Sequence, residues 1–189
     1  MPPTGLPIAI VGVNGGKAET ANSCFSSELA WAKTTPAVPE LYLNTNAPPR
    51  TYVGPGCTRK NASCNSSQYG KAAADYDLTH GVNGSGVYRL WLDVETANSW
   101  SGNKSANAQV LQAMMDVFQQ AGFKVGIYST SSMYARITGN YTFPGVALWI
   151  PGAQSLLNAP SFCASATTFA GGTTSLVQWT ATYDQDYAC

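Results

Sequence analysis

The sequence predicts an α/β fold built on a mostly parallel sheet, either open or closed into a barrel. Two observations carry that expectation. Short apolar segments recur along the 189 residues, and stretches with helical periodicity or turn chemistry separate them. The length suits one domain over 1–189 with a substantial core, although it is short for an α/β barrel.

In order, the strand candidates are IAIVGVN (8–14), ELYLNT (40–45), YRLWLDVE (88–95), KVGIYST (124–130), VALWIP (146–151) and SLVQWT (175–180). FSSELAWAKT follows the first as a helical pattern. SQYGKAAADYDLTHG precedes the third, with Gly81 as its expected stop. SANAQVLQAMMDVFQQAG follows the third. In it Val110, Met114, Val117 and Phe118 repeat at helical spacing, Ser105 is the candidate cap and Gly122 marks the C-terminal end. The same spacing assigns Met114 and Met115 to core packing rather than to a binding stripe. Pro-, Gly- and Ser-rich stretches at 46–66 and 151–174 read as loops, because strand candidates resume after each.

Composition narrows the function. Charged residues are 11% of the chain, Lys+Arg and Asp+Glu balance at 10 each, and no basic run occurs, so no nucleic-acid partner is expected. No segment approaches the roughly 18 apolar residues of a membrane span. Ten Tyr and five Trp among many Asn, Ser, Thr and Gly suit a surface that stacks on sugar rings, and equally a core filled with rings.

The five cysteines form no CxxC pair, and His80 is the one histidine, so a Cys/His zinc site is not expected. Scattered cysteines with few lysines fit an oxidising, extracellular setting in which disulfides form. Cys57 and Cys64 flank a short loop and Cys163 is within reach of Cys189, which predicts two intramolecular bridges and leaves Cys24 free or bridged to another chain. MPPTGLP has neither the charged start nor the apolar middle of an export signal, so such a signal has been removed or was never present. Asn-x-Ser/Thr triplets begin at Asn61, Asn65, Asn83, Asn103 and Asn140, but in so Asn-rich a chain they carry no localisation.

The chemistry concentrates in RLWLDVETANSW (89–100). Strand side chains alternate, so Leu90, Leu92 and Val94 share one face while Trp91, Asp93 and Glu95 share the other. Ionised acids on a buried, Trp-bearing face are costly, which marks the strand end as a place for shifted pKa values. In parallel α/β sheets, ligands bind at the carboxyl ends of the strands. That rim also gathers Asn14, Asn44, Tyr128, Trp149, Gln178, Asp184 and Asp186. Carboxylates two apart on a strand stand roughly 6.5 Å apart at the backbone, between retaining and inverting glycosidase separations. The spacing permits acid/base cooperation. It equally fits one capping and one exposed acid, or a divalent cation held by Asp93, Glu95 and Asp186.

Several segments together resemble the glycoside hydrolase family 25 lysozymes and, more closely, a divergent extracellular bacterial group related to them and to a glycoside-hydrolase-like domain of unknown function. The resemblance rests on IAIVGVNGG as the second barrel strand, WLDVETANSW as the Asp-x-Glu strand, AGFKVGIYST, ALWIPGA, LVQW and the closing YDQDYAC. It implies a distorted TIM-like (β/α) barrel and a retaining, cofactor-independent glycosidase. Its substrate would be the β-1,4 bonds of peptidoglycan or a related amino-sugar polysaccharide, and it would act as a secreted monomer. Glu95 then matches the general acid/base. Asp93 matches the acid that orients or charge-stabilises the substrate N-acetyl group or acts as nucleophile, and Asp186 matches the late acid of the final strand. Asn14, Trp91, Tyr128, Trp149, Gln178 and Asp184 become candidate substrate-binding residues. A non-catalytic glycan-binding module on the same fold is the alternative.

One departure stands out. The family opens with an aspartate-bearing first strand, usually Gly-x-Asp-x-Ser, whereas this sequence opens at the expected second strand. The resemblance therefore predicts a barrel lacking the family's first strand, with an unpaired edge and one fewer floor carboxylate. A cysteine in that segment would account for the solitary Cys24.

Overall fold

A computed structural model describes residues 2, 6–49, 52–54 and 65–189. The elements are β1 (Ile10–Gly12), α1 (Phe25–Ala32), β2 (Glu40–Asn44), α2 (Ser66–Asp77), β3 (Arg89–Asp93), α3 (Lys104–Gln120), β4 (Lys124–Tyr128), α4 (Ser131–Thr138), β5 (Ala147–Pro151), α5 (Ala159–Ser165), β6 (Thr173–Thr180) and β7 (Asp184–Ala188). All seven strands form one sheet in sequential order, parallel from β1 to β6 and closed by an antiparallel β6–β7 pair. Among the described strands β1 and β7 do not pair with each other, so the sheet is a half-barrel.

Side-chain contacts reveal the curl. In a flat sheet β2 and β5 would stand three strand spacings, roughly 14 Å, apart. Tyr42 of β2 and Trp149 of β5 instead bring their ring centroids within 6.4 Å. The Trp-bearing face is therefore concave, and it carries a small aromatic cluster of Trp91, Trp149 and Leu176 with Tyr42, Tyr128 and Ile10. The convex face carries the main core. There Leu41, Leu43, Leu90, Leu92, Ile127 and Leu148 pack on Tyr69 and Ala73 of α2 and on Val110, Leu111, Met114 and Phe118 of α3. Met114 and Met115 are buried in that core, as their helical spacing predicts.

Helix ends follow side-chain chemistry more closely than the sequence reading allowed. Asn103, not Ser105, caps α3, its side chain accepting from the Ala106 N–H at 3.1 Å. Gly81 does not stop α2, because a π-helical turn carries the chain on from Leu78 to Val82. Its lack of a side chain serves packing, since a Cβ there would lie 3.0 Å from Val13 and 3.1 Å from Phe25. Gly122, with φ of +92°, does end α3. The strand β3 ends at Asp93, so Glu95 lies just beyond it, although Val94 still donates to the Tyr128 carbonyl (2.9 Å). The stretch 151–174 holds α5 rather than loop alone, and α4 and the antiparallel β7 carry too little periodicity to stand out in the sequence. The helix α4 is bounded instead by its Thr130 cap and by Gly139 in the left-handed region.

A disulfide joins Cys163 of α5 to Cys189, closing a separation of 26 residues as expected, and Cys24 is exposed and forms no disulfide among the described residues. The expected Cys57–Cys64 bridge lies outside the described residues. No described helix is long and apolar enough to cross a membrane.

One acid lies behind the sheet. Asp77 at the end of α2 is buried, and neither carboxylate oxygen has a hydrogen-bond partner among the described residues. Burial pushes its pKa up to about 8. The Asn14 amide beside it tempers the shift, but its N–H hydrogen bond goes to the Asn44 carbonyl at 3.0 Å. The folded chain thus keeps a proton that the unfolded chain releases above about pH 4, so stability falls as pH rises toward 8. Asp77→Asn should leave stability near wild type at pH 4 and raise it at pH 8 by roughly 2–5 kcal/mol. Thermal unfolding at the two pH values reads the difference directly.

Candidate functional site

Parallel register sorts the concave face into layers. Tyr42, Trp91, Gly126 and Ala147 form one layer; Asn44, Asp93, Tyr128 and Trp149 form the next toward the strand C-termini. The lower layer is a floor. Trp91 is fully buried, and its ring fills the space that a side chain at Gly126 would need. Its indole N–H donates to Glu40 at 2.6 Å, and Glu40 pairs with Arg89 at 3.2 Å. Burial raises the Glu40 pKa, opposed by the Trp91 hydrogen bond and the Arg89 charge.

Above that floor opens a cavity of about 390 Å³ lined by Ile10, Tyr42, Asn44, Asp93, Glu95, Tyr128, Trp149, Gln178, Asp184 and Asp186. It brings together eight of the ten residues that the sequence places on the acid face or at the rim: Asn44, Asp93, Glu95, Tyr128, Trp149, Gln178, Asp184 and Asp186. Trp91 and Asn14 do not line it. Trp91 is floor, with its N–H committed to Glu40. Asn14 is buried and spends its side chain on the backbone of Asn44, donating to the carbonyl (3.0 Å) and accepting from the N–H (3.1 Å). Tyr42 and Ile10 line the cavity without having been anticipated. The signal was present in ELYLN, where alternation places Glu40, Tyr42 and Asn44 on the face of the acids.

The acids sit at graded depths. Asp93 is buried, and its pKa is pushed up to about 8 by burial and then by the neighbouring Glu95 charge. Asp186 is pushed up to about 7 by burial, held back by hydrogen bonds from Trp149 and Gln178, and raised a little by Asp184. The Trp149 indole N–H donates to Asp186 at 2.7 Å, and the Tyr128 hydroxyl donates to the Gln178 side-chain oxygen at 2.7 Å. Glu95 is half-buried at the rim, its pKa raised by burial and by Asp184. The TANSW segment fixes the Glu95 backbone, because the Trp100 indole (2.9 Å) and the Asn98 N–H (3.1 Å) both donate to its carbonyl. One deep acid protonated near neutrality and one shallower acid closer to solvent is a division suited to proton transfer. Among the described residues no group of three His, Cys, Asp or Glu is arranged to hold a metal ion, so Asp93, Glu95 and Asp186 do not converge as cation ligands.

Fold and site together define a curled, mostly parallel α/β half-barrel with an acidic, aromatic-lined cleft at its strand C-termini. A family profile described as lysozyme-like protein 1 matches residues 51–156, more than half of the sequence, and the chain belongs to that family. It is 33% identical over 102 residues to the probable GH family 25 lysozyme 3 of Dictyostelium discoideum, covering 53% of this chain and 21% of that protein. It is 30% identical over 76 residues to lysozyme-like protein 1 of Caenorhabditis elegans, covering 38% and 26%. The matched segments thus span about a quarter of the length of these relatives. The fold is that of the family GH25 lysozyme from Aspergillus fumigatus (TM-score 0.60, 17% identity, 96% of this chain and 79% of that one). It is also that of the modular Cpl-1 endolysin, which was crystallised with a peptidoglycan analogue (TM-score 0.63, 19% identity, 96% and 47%).

The Trp149–Asp186 contact predicts a pH-dependent cost. Trp149→Phe keeps a ring but removes the donor, and a hydrogen bond to a charged group is worth about 1.5–3 kcal/mol. Urea unfolding should therefore show the variant losing about 1–2 kcal/mol more at pH 8, where Asp186 ionises, than at pH 5, where it is protonated. An equal loss at both pH values would assign the cost to packing alone.

Proposed function

We propose that the protein hydrolyses β-1,4 glycosidic bonds in peptidoglycan or a related amino-sugar polysaccharide. The observation that carries this reading is the convergence of Asp93, Glu95 and Asp186 with Tyr128 and Trp149 in one cavity at the strand C-termini. Membership of a lysozyme-like family, and the peptidoglycan analogue bound by the Cpl-1 endolysin, support the substrate class. Glu95, at the rim and with a raised pKa, is the general acid that protonates the leaving oxygen and then the base that activates water. Asp93, deeper and protonated near neutrality, offers a hydrogen bond or a developing charge to the sugar beside the scissile bond. Asp186, fixed by Trp149, borders the same cavity from β7. The rings of Tyr42, Tyr128 and Trp149 supply apolar faces for pyranose stacking. The Cys163–Cys189 bridge supports an oxidising, extracellular place of work.

A glycan-binding module without catalysis is the second reading. It is favoured by the walls contributed by β1 and β2, which are Ile10, Tyr42 and Asn44, none of them acidic. Clearing of purified cell-wall suspensions, with reducing ends counted in the supernatant, separates the two. Wild type should release reducing ends, and Glu95→Gln should slow release by about 10²–10⁴-fold. Equal rates would remove Glu95 from the mechanism. Saturable binding of wall fragments without reducing ends would select the binding module.

A further inference from the structure

The segment Asn44-Thr45-Asn46, which ends β2 and leads out of it, is buried polar chain rather than ordinary loop. Thr45 is fully buried and Asn46 nearly so. Each residue has a distinct hydrogen-bonding task. Asn46 anchors the segment: its side chain accepts from the Ala18 N–H (2.8 Å) and donates to the Tyr69 hydroxyl (2.7 Å) and the Ala47 carbonyl (2.8 Å). Thr45 holds the Asp93 backbone, its hydroxyl donating to the Asp93 carbonyl at 2.6 Å and its N–H to the same oxygen at 3.2 Å. Asn98 donates to that carbonyl from the other side at 3.3 Å. Asn44 reaches the reactive end, its amide N–H donating to Asp93 Oδ2 at 2.5 Å. Its own backbone is gripped at both polar groups by the Asn14 side chain. Asp93 Oδ1 is left buried with no hydrogen-bond partner.

This arrangement is asymmetric. One carboxyl oxygen is tied to Asn44 and the other is buried without a partner, at the wall of a cavity whose size admits a ligand. Buried polar atoms without partners are rare and mark strain, function or an absent partner. We propose that Asn44 is a positioning residue for Asp93: clamped by Asn14, its amide holds Oδ2 and fixes the orientation of the carboxyl at the cavity wall. The proposal rests on the reading of Asp93 as a substrate-facing acid and adds how the carboxyl is held. The titratable groups around it are Glu95, Tyr42 and Tyr128 with Asp184 and Asp186 of β7. None of these hydrogen-bonds to the Asp93 side chain, so the tie to Asn44 has no substitute.

The test uses the whole chain with Asn44→Leu, close in volume but without a donor, and Asn44→Ser, too short to reach the carboxyl. Unfolding curves confirm that each variant is folded, and the serine variant carries the test should the leucine not fold. Asp93 is followed by ¹³C-carboxyl NMR, its resonance assigned by its loss in Asp93→Asn. Removing a donor to the carboxylate should move the Asp93 midpoint upward by about half a unit or more. Wall clearance should lose about tenfold in kcat with little change in KM, because the carboxyl is misdirected rather than lost. A midpoint unmoved in a folded variant would overturn the proposal. The titration needs no turnover: if wild type releases no reducing ends the hydrolytic reading fails, while the Asp93 midpoint still decides the role of Asn44.

Discussion

The cleft depends on one packing decision, the placement of the Trp91 ring on the concave side of the sheet. A curled sheet must fill its inner face, and here the Trp91 indole fills the lowest layer by lying over Gly126, with its N–H taken up by Glu40. Glu40 is in turn tied to Arg89, so a carboxylate and a guanidinium that would otherwise be costly to bury close the bottom of the half-barrel. Everything functional is measured from that floor. Asp93 stands one pleat above Trp91, level with Asn44, Tyr128 and Trp149, and Glu95 one pleat higher still. A smaller residue at position 91, or any side chain at 126, would change the depth of the cleft and hence the solvation of every acid in it.

Depth converts directly into chemistry. Carboxylates lose hydration as they sink, so Asp93, near the floor, is pushed well above the usual carboxylate range, whereas Glu95 keeps more solvent at the rim. Asp186 shows the opposing influence, since burial raises it while Trp149 and Gln178 favour its ionised form. The same physics acts behind the sheet at Asp77, which does not line the cleft, and there the cost falls on stability. Graded burial thus gives chemically similar acids different solvation, which is what sets apart the proton affinities of an acid and a base in one site.

Much of this was legible in the sequence. Alternation in RLWLDVE separated the two faces of β3, and the rule that parallel strands present ligands at their C-termini gathered Tyr128, Trp149, Gln178, Asp184 and Asp186 around the acids. The failures share a cause. Trp91 shares a face with the acids, but the sequence alone does not say that Gly126 lies beside it and lets the ring drop into the floor. Asn14 sits at a strand end, yet its side chain is consumed by the Asn44 backbone across a parallel pair, a contact that register decides. Tyr42 shares the face of Asn44 by alternation in ELYLN, but the curl that swings its ring into the cleft is set by contacts across strands. The helices α4 and α5 and the antiparallel β7 are short elements fixed by caps, a disulfide and pairing with β6 rather than by periodicity.

The proposed hydrolysis requires that glycan bind in the concave cleft. Titrating the ¹⁵N-labelled protein with a β-1,4-linked tetramer of N-acetylglucosamine, and following indole and side-chain amide resonances, tests this most directly. Binding in the cleft predicts shifts of the Trp149 indole and of the Asn44 and Gln178 amides, with the Trp31 indole on α1, packed against the convex-face core, unmoved. Shifts confined to the convex face, or no shifts at saturating tetramer, would contradict it.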